Sequence, residues 1–131
     1  MRYVENPDLE AEEIDSLRVL VGWDTRKEKL GKIVGCTYMT VACYDEDNLV
    51  GFVDVLSDGL EDALIRGLVV HPEYQRKGIG LELIKKAVGR LKADRIKTIN
   101  VLFEPELIPF YEKAGFRIIS GGLIDNESEG F

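Results

Sequence analysis

Ala63-Leu64-Ile65-Arg66-Gly67-Leu68-Val69-Val70-His71-Pro72-Glu73-Tyr74-Gln75-Arg76-Lys77-Gly78-Ile79-Gly80 changes character twice, from an apolar run to a polar, glycine-bearing turn and then to a helical period. The run to Val70 is short, partly β-branched and closed by Pro72, which suits a buried strand over 63–70. From Gly80 onward Leu83, Ile84, Ala87, Val88 and Leu91 recur on one face, with Glu82, Lys85, Lys86, Arg90 and Lys92 between them. That spacing predicts an amphipathic helix over 80–93.

Gln75, Arg76, Lys77, Gly78, Ile79 and Gly80 join the two elements. A helix N-terminus presents unpaired N–H groups and the positive end of a dipole, two glycines let a ligand approach the backbone, and Arg76 and Lys77 add full charges. The turn is an anion cradle suited to a diphosphate. It is not a P-loop, which needs Lys followed by Ser or Thr after the last glycine, because Leu81 and Glu82 follow Gly80. Nor is it a dinucleotide loop, which needs Gly or Ala where Leu83 stands.

Gln75, Gly78 and Gly80 instead match the pattern Gln or Arg, two variable residues, Gly, one variable residue, Gly or Ala. The loop thereby resembles the pyrophosphate loop of the GNAT superfamily of acyl-CoA-dependent N-acetyltransferases. A second block, Phe110-Tyr111-Glu112-Lys113-Ala114-Gly115-Phe116, is similar to a helix ending in the same superfamily and follows at the family's usual remove. The resemblance covers about Leu49 to Ser120. Val50-Gly51-Phe52 with Ser57-Asp58-Gly59 looks like a small bacterial and plastid-type branch.

With 131 residues, 45% hydrophobic and 31% charged, the chain has the size and make-up of one globular domain, expected over 1–131. Met1 to Pro7 lack the basic head and apolar core of a secretory signal, and no apolar run reaches membrane-spanning length, so a cytoplasmic protein without membrane contact is expected. A net charge of -7 argues against a nucleic-acid partner. Cys36 and Cys43 have no His or Cys at metal spacing and read as small buried hydrophobes, so no metal is expected. Arg76, Lys77, Lys85, Lys86 and Arg90 gather in sequence around the cradle, where local charge matters more than the total.

Elsewhere, Arg2-Tyr3-Val4 suggests a short strand, and Leu9, Ile14, Leu17, Leu20 and Val21 a first helix capped by Gly22. Thr25 and Glu28 have the spacing of a capping box for a second helix through Leu30 and Ile33. Thr37–Tyr44 and Leu49–Leu56, joined by a polar turn at 45–48, predict an antiparallel hairpin. Ile96–Phe103 reads as a strand that the crossover helix sets parallel to the central one. Pro105 opens a last helix ended by Gly115, Phe116–Ser120 reads as a final strand, and the tail from Gly121 is expected to be partly ordered at best.

The resemblance implies an α/β fold with a mixed, mostly antiparallel central sheet, flanked by helices, in which a parallel βαβ pair splays apart to admit the pantetheine arm of acetyl-CoA. Gly67 in mid-strand hints at a bulge or close approach there. By the same resemblance, Leu68 and Val70 would offer main-chain groups to pantetheine and a backbone N–H near Val69 would face the oxyanion. Gln75, Arg76, Lys77, Gly78, Ile79 and Gly80 would hold the pyrophosphate, and Glu104 and Phe110 would stand against the cofactor. Tyr111 falls where the family places a general acid for the CoA sulfur.

His71 is expected as a turn residue. Asp58, ahead of Glu61 and Asp62, is the candidate to draw in a cationic amine or accept its proton. Two residues depart from the family pattern: Glu104 replaces a common Asn, and Gly67 replaces an acid frequent in close relatives. The expected activity is acetyl transfer from acetyl-CoA to a primary amine by direct attack in a ternary complex, a small-molecule amine being favoured. The alternatives are protein N-terminal or lysine acetylation, or a non-catalytic acyl-CoA sensor. An exposed sheet edge makes a homodimer an expectation.

Overall fold

A computed structural model describes residues 1–127 and divides the chain into two compact units, Met1–Val101 and the chain from Leu102 onward. The first unit runs β1 (Arg2–Glu5), α1 (Ala11–Leu20), α2 (Lys27–Cys36), β2 (Met39–Asp45), β3 (Asn48–Ser57), β4 (Asp62–Val70), α3 (Ile79–Ala93) and β5 (Thr98–Val101). Its five strands lie side by side in chain order; β1 to β4 are antiparallel, and β5 joins β4 in parallel through the crossover α3. This is the mixed α/β sheet expected from the sequence.

Period-two alternation sends the side chains of this sheet to two cores. Ala42, Phe52 and Val69 are buried with Ile14 and Leu17 of α1 and Leu30 of α2. On the opposite face α3 comes so close that a Cβ on Gly51 would lie 2.9 Å from Leu83 Cδ1 and 3.1 Å from Ile79 Cγ2. Only glycine leaves that space. The apolar stripe of α3, Leu83, Ile84, Ala87 and Leu91, is wholly buried, as its spacing requires.

Gly22 takes φ +93° after α1 and its N–H bonds the Val19 carbonyl at 3.0 Å, closing the helix as expected. The start of α2 differs from the capping box. Thr25 Oγ1 donates to Asp15 Oδ2 at 2.6 Å and the Arg26 N–H donates to Asp15 Oδ1 at 2.7 Å, so a buried carboxylate of α1 holds the entry to α2. A tertiary acceptor displaces the local one because it satisfies a hydroxyl and a backbone N–H together. The Thr25 and Arg26 hydrogen bonds hold the Asp15 carboxyl below the usual carboxylate range.

β4 contains the bulge. Phe52 faces Val69 and Asp54 faces Arg66, so Gly67 and Leu68 together oppose Val53, and Gly67 adopts φ +66°. A glycine supplies this left-handed conformation, and the extra residue increases the bend of the strand. Pairing with β5 stops just before it, at Ile65 and Val101. The ladder therefore ends earlier than the expected strand over 96–103.

In the second unit a 3-10 turn at Pro105–Leu107 leads into α4 (Ile108–Lys113), ended by Gly115 at φ +101°. The strand expected over 116–120 is absent: these residues have no regular structure, and Ile119 is exposed. β-branched sequence becomes a strand only when an edge pairs with it, and no edge does so among the described residues. Residues 121–125 are likewise irregular; 128–131, the end of the tail, lie outside the described residues. Among the described residues no helix is long and apolar enough to cross a membrane, and no cluster of His, Cys, Asp or Glu is built to hold a metal.

Candidate active site

Beyond Ile65, β4 keeps β3 on one edge and, among the described residues, has no strand on the other. The His71 N–H bonds the Val50 carbonyl at 2.8 Å, and alternation along an antiparallel pair turns the peptide groups of Val70 toward the free edge. The Gln75 side chain marks that direction, its Nε2 donating to the Val70 carbonyl at 2.9 Å. Since a carbonyl has two lone pairs, a second donor can still reach it. Val69 buries its side chain in the core shared with α1 and α2, and the same alternation turns its own peptide groups toward Phe52 of β3.

The loop to α3 is shaped by hydrogen bonds of its own residues. His71 Nδ1 accepts the Glu73 N–H at 3.1 Å and caps the 3-10 turn Pro72–Tyr74, the turn role expected of it. Tyr74 donates its hydroxyl to Asp45 Oδ2 at 2.6 Å, anchoring the turn to the hairpin. Arg76 and Gly78 both adopt left-handed conformations, φ +64° and +84°, and Gly78 caps α3 with no side-chain hydrogen bond. Successive backbone N–H groups in such a turn form a concavity for anions. A Cβ on Gly78 would meet nothing within 4 Å, so the space over the helix end is open.

The expected cluster of five cations is smaller at this site. Arg90 lies roughly 18 Å along α3 from Gly78 at about 1.5 Å per residue, and it pairs with Glu5 and Asp94 at 3.1 Å each. Lys86 pairs with Glu82 at 3.6 Å. Sequence proximity misleads here because a long helix carries its later charges away. Arg76 and Lys77 remain exposed at the cradle, Lys77 above the Tyr74 ring at 5.5 Å.

Asp58 lies beyond the opposite end of β4 from the cradle. Its Oδ1 accepts the N–H groups of Leu60, Glu61 and Asp62 at 2.9, 2.8 and 3.2 Å, so the carboxylate organises the turn between β3 and β4. The Glu61, Leu60 and Asp62 hydrogen bonds hold its pKa below the ordinary value. A proton acceptor needs the reverse shift. Glu61 pairs with Lys97 at 3.8 Å, and Asp62 accepts the Thr98 hydroxyl at 2.7 Å. All three acids are engaged in shaping this end of the sheet, which argues against Asp58 as the base.

A polar cluster that sequence reasoning missed stands beside the bulge. Asp54, 7% exposed, accepts from Arg66 Nε at 2.6 Å and from the Thr37 hydroxyl. Asp54 follows Phe52 by two residues and faces Arg66 across the strands, so the pair lies on the sheet face that α1 and α2 cover. The available signal was period two: an Asp on the inward phase of an otherwise apolar strand.

In the second unit Tyr111 is buried in an aromatic cluster, stacked on Phe103 at 4.4 Å and meeting Phe110 and Phe116 edge-on at 4.9 and 5.8 Å. Burial raises its pKa. Its hydroxyl makes no hydrogen bond among the described residues and is not sealed from solvent. Phe110 thus packs against the ring of Tyr111, and Glu104 is exposed just ahead of the turn that begins at Pro105.

Comparison with known proteins agrees with this arrangement. Residues 9–127 match the family model described as an acetyltransferase (GNAT) domain. The uncharacterized N-acetyltransferase ycf52 of Gracilaria tenuistipitata var. liui is 31% identical over 109 residues, 79% of this chain and 60% of that protein. A GNAT family acetyltransferase from Streptococcus pneumoniae has the same fold, with a TM-score of 0.80, 26% identity and coverage of 97% and 98%. So does an aminoglycoside 6'-N-acetyltransferase solved with coenzyme A, at TM-score 0.75, 20% identity and coverage of 92% and 87%. The chain spans about three fifths to two thirds of the length of the curated ycf52 relatives it matches. With the bulged β4, its free edge and the glycine loop at the head of α3 in place, the chain belongs to the GNAT acetyltransferase family.

Proposed function

We propose that the chain is an N-acetyltransferase that passes the acetyl group of acetyl-CoA to the primary amine of a small molecule by direct attack in a ternary complex. The observation that carries this reading is the free edge of β4 beyond Ile65, followed directly by a helix start whose N–H groups have no side-chain cap. The residues fit the cofactor. Gln75 to Gly80, with Arg76 and Lys77, would bind the pyrophosphate, and the main chain of Leu68 and Val70 would pair with pantetheine as an added strand does. A backbone N–H near Val69 would face the carbonyl oxygen, a contact typically worth about 3 kcal/mol. Phe110 would support the Tyr111 ring, and Glu104 would stand near the cofactor arm.

Acetyl-CoA supplies an activated thioester. The amine nitrogen forms the new N–C bond, the C–S bond breaks with its electron pair on sulfur, and the proton lost by the amine balances the thiolate. Tyr111 donates a hydrogen bond to that sulfur. A free phenol, pKa about 10, is a weaker acid than a thiol at about 8.5, and burial weakens it further, so the hydroxyl stabilises developing charge rather than delivering its proton outright. The amine must lose a proton before it attacks. An alkyl ammonium near pKa 10.4 is neutral in only about one molecule in two or three thousand at pH 7, so turnover rises with pH. With Asp58 engaged in its turn, water is the simplest acceptor. A reducing compartment such as the cytoplasm suits the free thiols of Cys43, buried as expected, and of Cys36, which is exposed at the end of α2 and not the buried hydrophobe expected of it.

The test is release of CoA thiol when the pure protein meets acetyl-CoA and a panel of small amines, beside calorimetric titration with CoA. Gly80→Val, bulky at the second residue of α3, is expected to abolish CoA binding while the fold survives, and wild-type binding is expected to weaken with salt. A folded Gly80→Val protein that binds CoA as before would overturn the cradle. Binding without turnover on any amine or peptide would leave an acyl-CoA sensor.

A further inference from the structure

The Asp54–Arg66 pair has a feature that packing alone does not require. Arg66 uses only Nε on Asp54, and its terminal amino groups make no hydrogen bond or ion pair among the described residues. Asp54 is nearly enclosed, with a side-chain exposure of 10%, whereas the Arg66 side chain is 35% exposed. The carboxylate is therefore the anchor and the guanidinium the part that faces outward. Thr37 holds the second carboxylate oxygen, and the same hydroxyl lies 2.6 Å from the Val55 carbonyl.

Enclosing a carboxylate costs free energy that a single pairing recovers only in good geometry, and two apolar residues fill such a place as well or better. What the pair provides is direction. With Nε tied down, the guanidinium plane is fixed and its two terminal NH2 groups form a preset fork of the kind that matches a carboxylate or phosphate in bidentate fashion. The fork stands immediately before the bulge at Gly67, where the β4–β5 ladder has ended. It lies on the α1 and α2 face, whereas the cradle is at the head of α3, which packs on the other face. An anion held there would belong to the second substrate, not to the cofactor.

We propose that the acceptor carries an anionic group, a carboxylate or a phosphate, besides its amine, and that Arg66, positioned by Asp54 and Thr37, binds that group. This rests on the acetyltransferase reading above. On a chain of net charge -7 such an acceptor gains little from the overall field, so a fixed local cation is what would select it. The ammonium end of the same molecule is free to lie toward the reacting thioester.

The experiment uses matched acceptors: β-alanine against propylamine for the carboxylate, and O-phosphoethanolamine against ethanolamine for the phosphate. The wild type is expected to favour the anionic member of at least one pair by tenfold or more in kcat/KM, and the pair with the larger ratio names the anion. Arg66→Gln is expected to bring that ratio near one with acetyl-CoA affinity unchanged, and Arg66→Lys to restore part of it. Since Arg66→Gln strands a buried carboxylate, the Asp54→Asn/Arg66→Gln double variant guards against loss of fold. Independently of turnover, the Arg66 Nε–H resonance should shift on adding O-phosphoethanolamine or β-alanine. Ratios near one in the wild type, ratios unmoved by Arg66→Gln, or a resonance unmoved by both acceptors overturns the proposal. Failure to bind acetyl-CoA would instead overturn the acetyltransferase reading, and the resonance measurement would still decide the anion site.

Discussion

Replacing Tyr111 by Phe removes one oxygen from a ring that Phe103, Phe110 and Phe116 hold on three sides. No intramolecular hydrogen bond is lost, because the hydroxyl makes none among the described residues. Folding stability should therefore stay within about 0.5 kcal/mol of wild type. The kinetic cost has a different origin. A hydrogen bond to a charged partner is worth roughly 1.5–3 kcal/mol, and at about 1.4 kcal/mol per tenfold this slows the chemical step about 10- to 10²-fold. Acetyl-CoA affinity should change little, since charge gathers on sulfur only in the transition state. Burial places the folded pKa of Tyr111 above 10, so the hydroxyl stays protonated throughout the neutral and mildly alkaline range. Its contribution to stability is full below pH 10 and declines as pH climbs toward the folded value. Wild-type turnover should accordingly show no downturn from this group below pH 10. The assay is single-turnover release of CoA thiol with a verified amine, under conditions where chemistry limits the rate. An unchanged rate in a variant of unchanged melting temperature would make Tyr111 a core aromatic with no part in the reaction.

Gly78→Ala should cost roughly 1–2 kcal/mol through its left-handed backbone alone, a fall of about 3–8 °C in Tm, because no atom obstructs the new methyl. Gly78→Asn should recover most of that loss yet still bind CoA at least tenfold more weakly by calorimetry; full affinity in the Asn variant would show that no ligand approaches this glycine. Gly51→Val forces two further carbons beyond a Cβ already 2.9 Å from Leu83, and about 1–3 kcal/mol should be lost in urea titration. For Asp58→Asn, the lowered pKa means that the charged carboxylate stabilises the fold above the ordinary aspartate value of about 3.9, and the benefit fades as pH falls through the folded value. The melting difference between wild type and variant should therefore shrink in acid, while the rise of turnover with pH keeps its shape; a flattened rise in a well-folded variant would restore Asp58 as the base.

Much of the fold is legible locally because its signals are local. The period of Leu83, Ile84, Ala87 and Leu91 defines α3, the switch at Pro72 ends β4, and Gly22 and Gly115 sit where a left-handed residue closes a helix. The anion cradle is legible for the same reason: its glycines, its two cations and its helix start are contiguous in the chain. Gly67 could be suspected of a bulge from its position alone.

Contacts across the chain decided the rest. The Thr25–Glu28 spacing is a sound local cap, yet Asp15, ten residues upstream of Thr25, accepts the Thr25 hydroxyl and the Arg26 N–H from another helix. Ile118 and Ile119 have strand-forming side chains, but a strand exists only with a partner edge. Asp58 reads as a free acid until its three backbone donors are seen, and Arg90 reads as part of the cradle until the rise of α3 carries it to Glu5. Asp54 and Arg66 are twelve residues apart in sequence and meet only through the β3–β4 register. Spacing along the chain determines which backbone a segment prefers; which side chains share one field is determined by pairing and packing, and the proposed acceptor site is of that second kind.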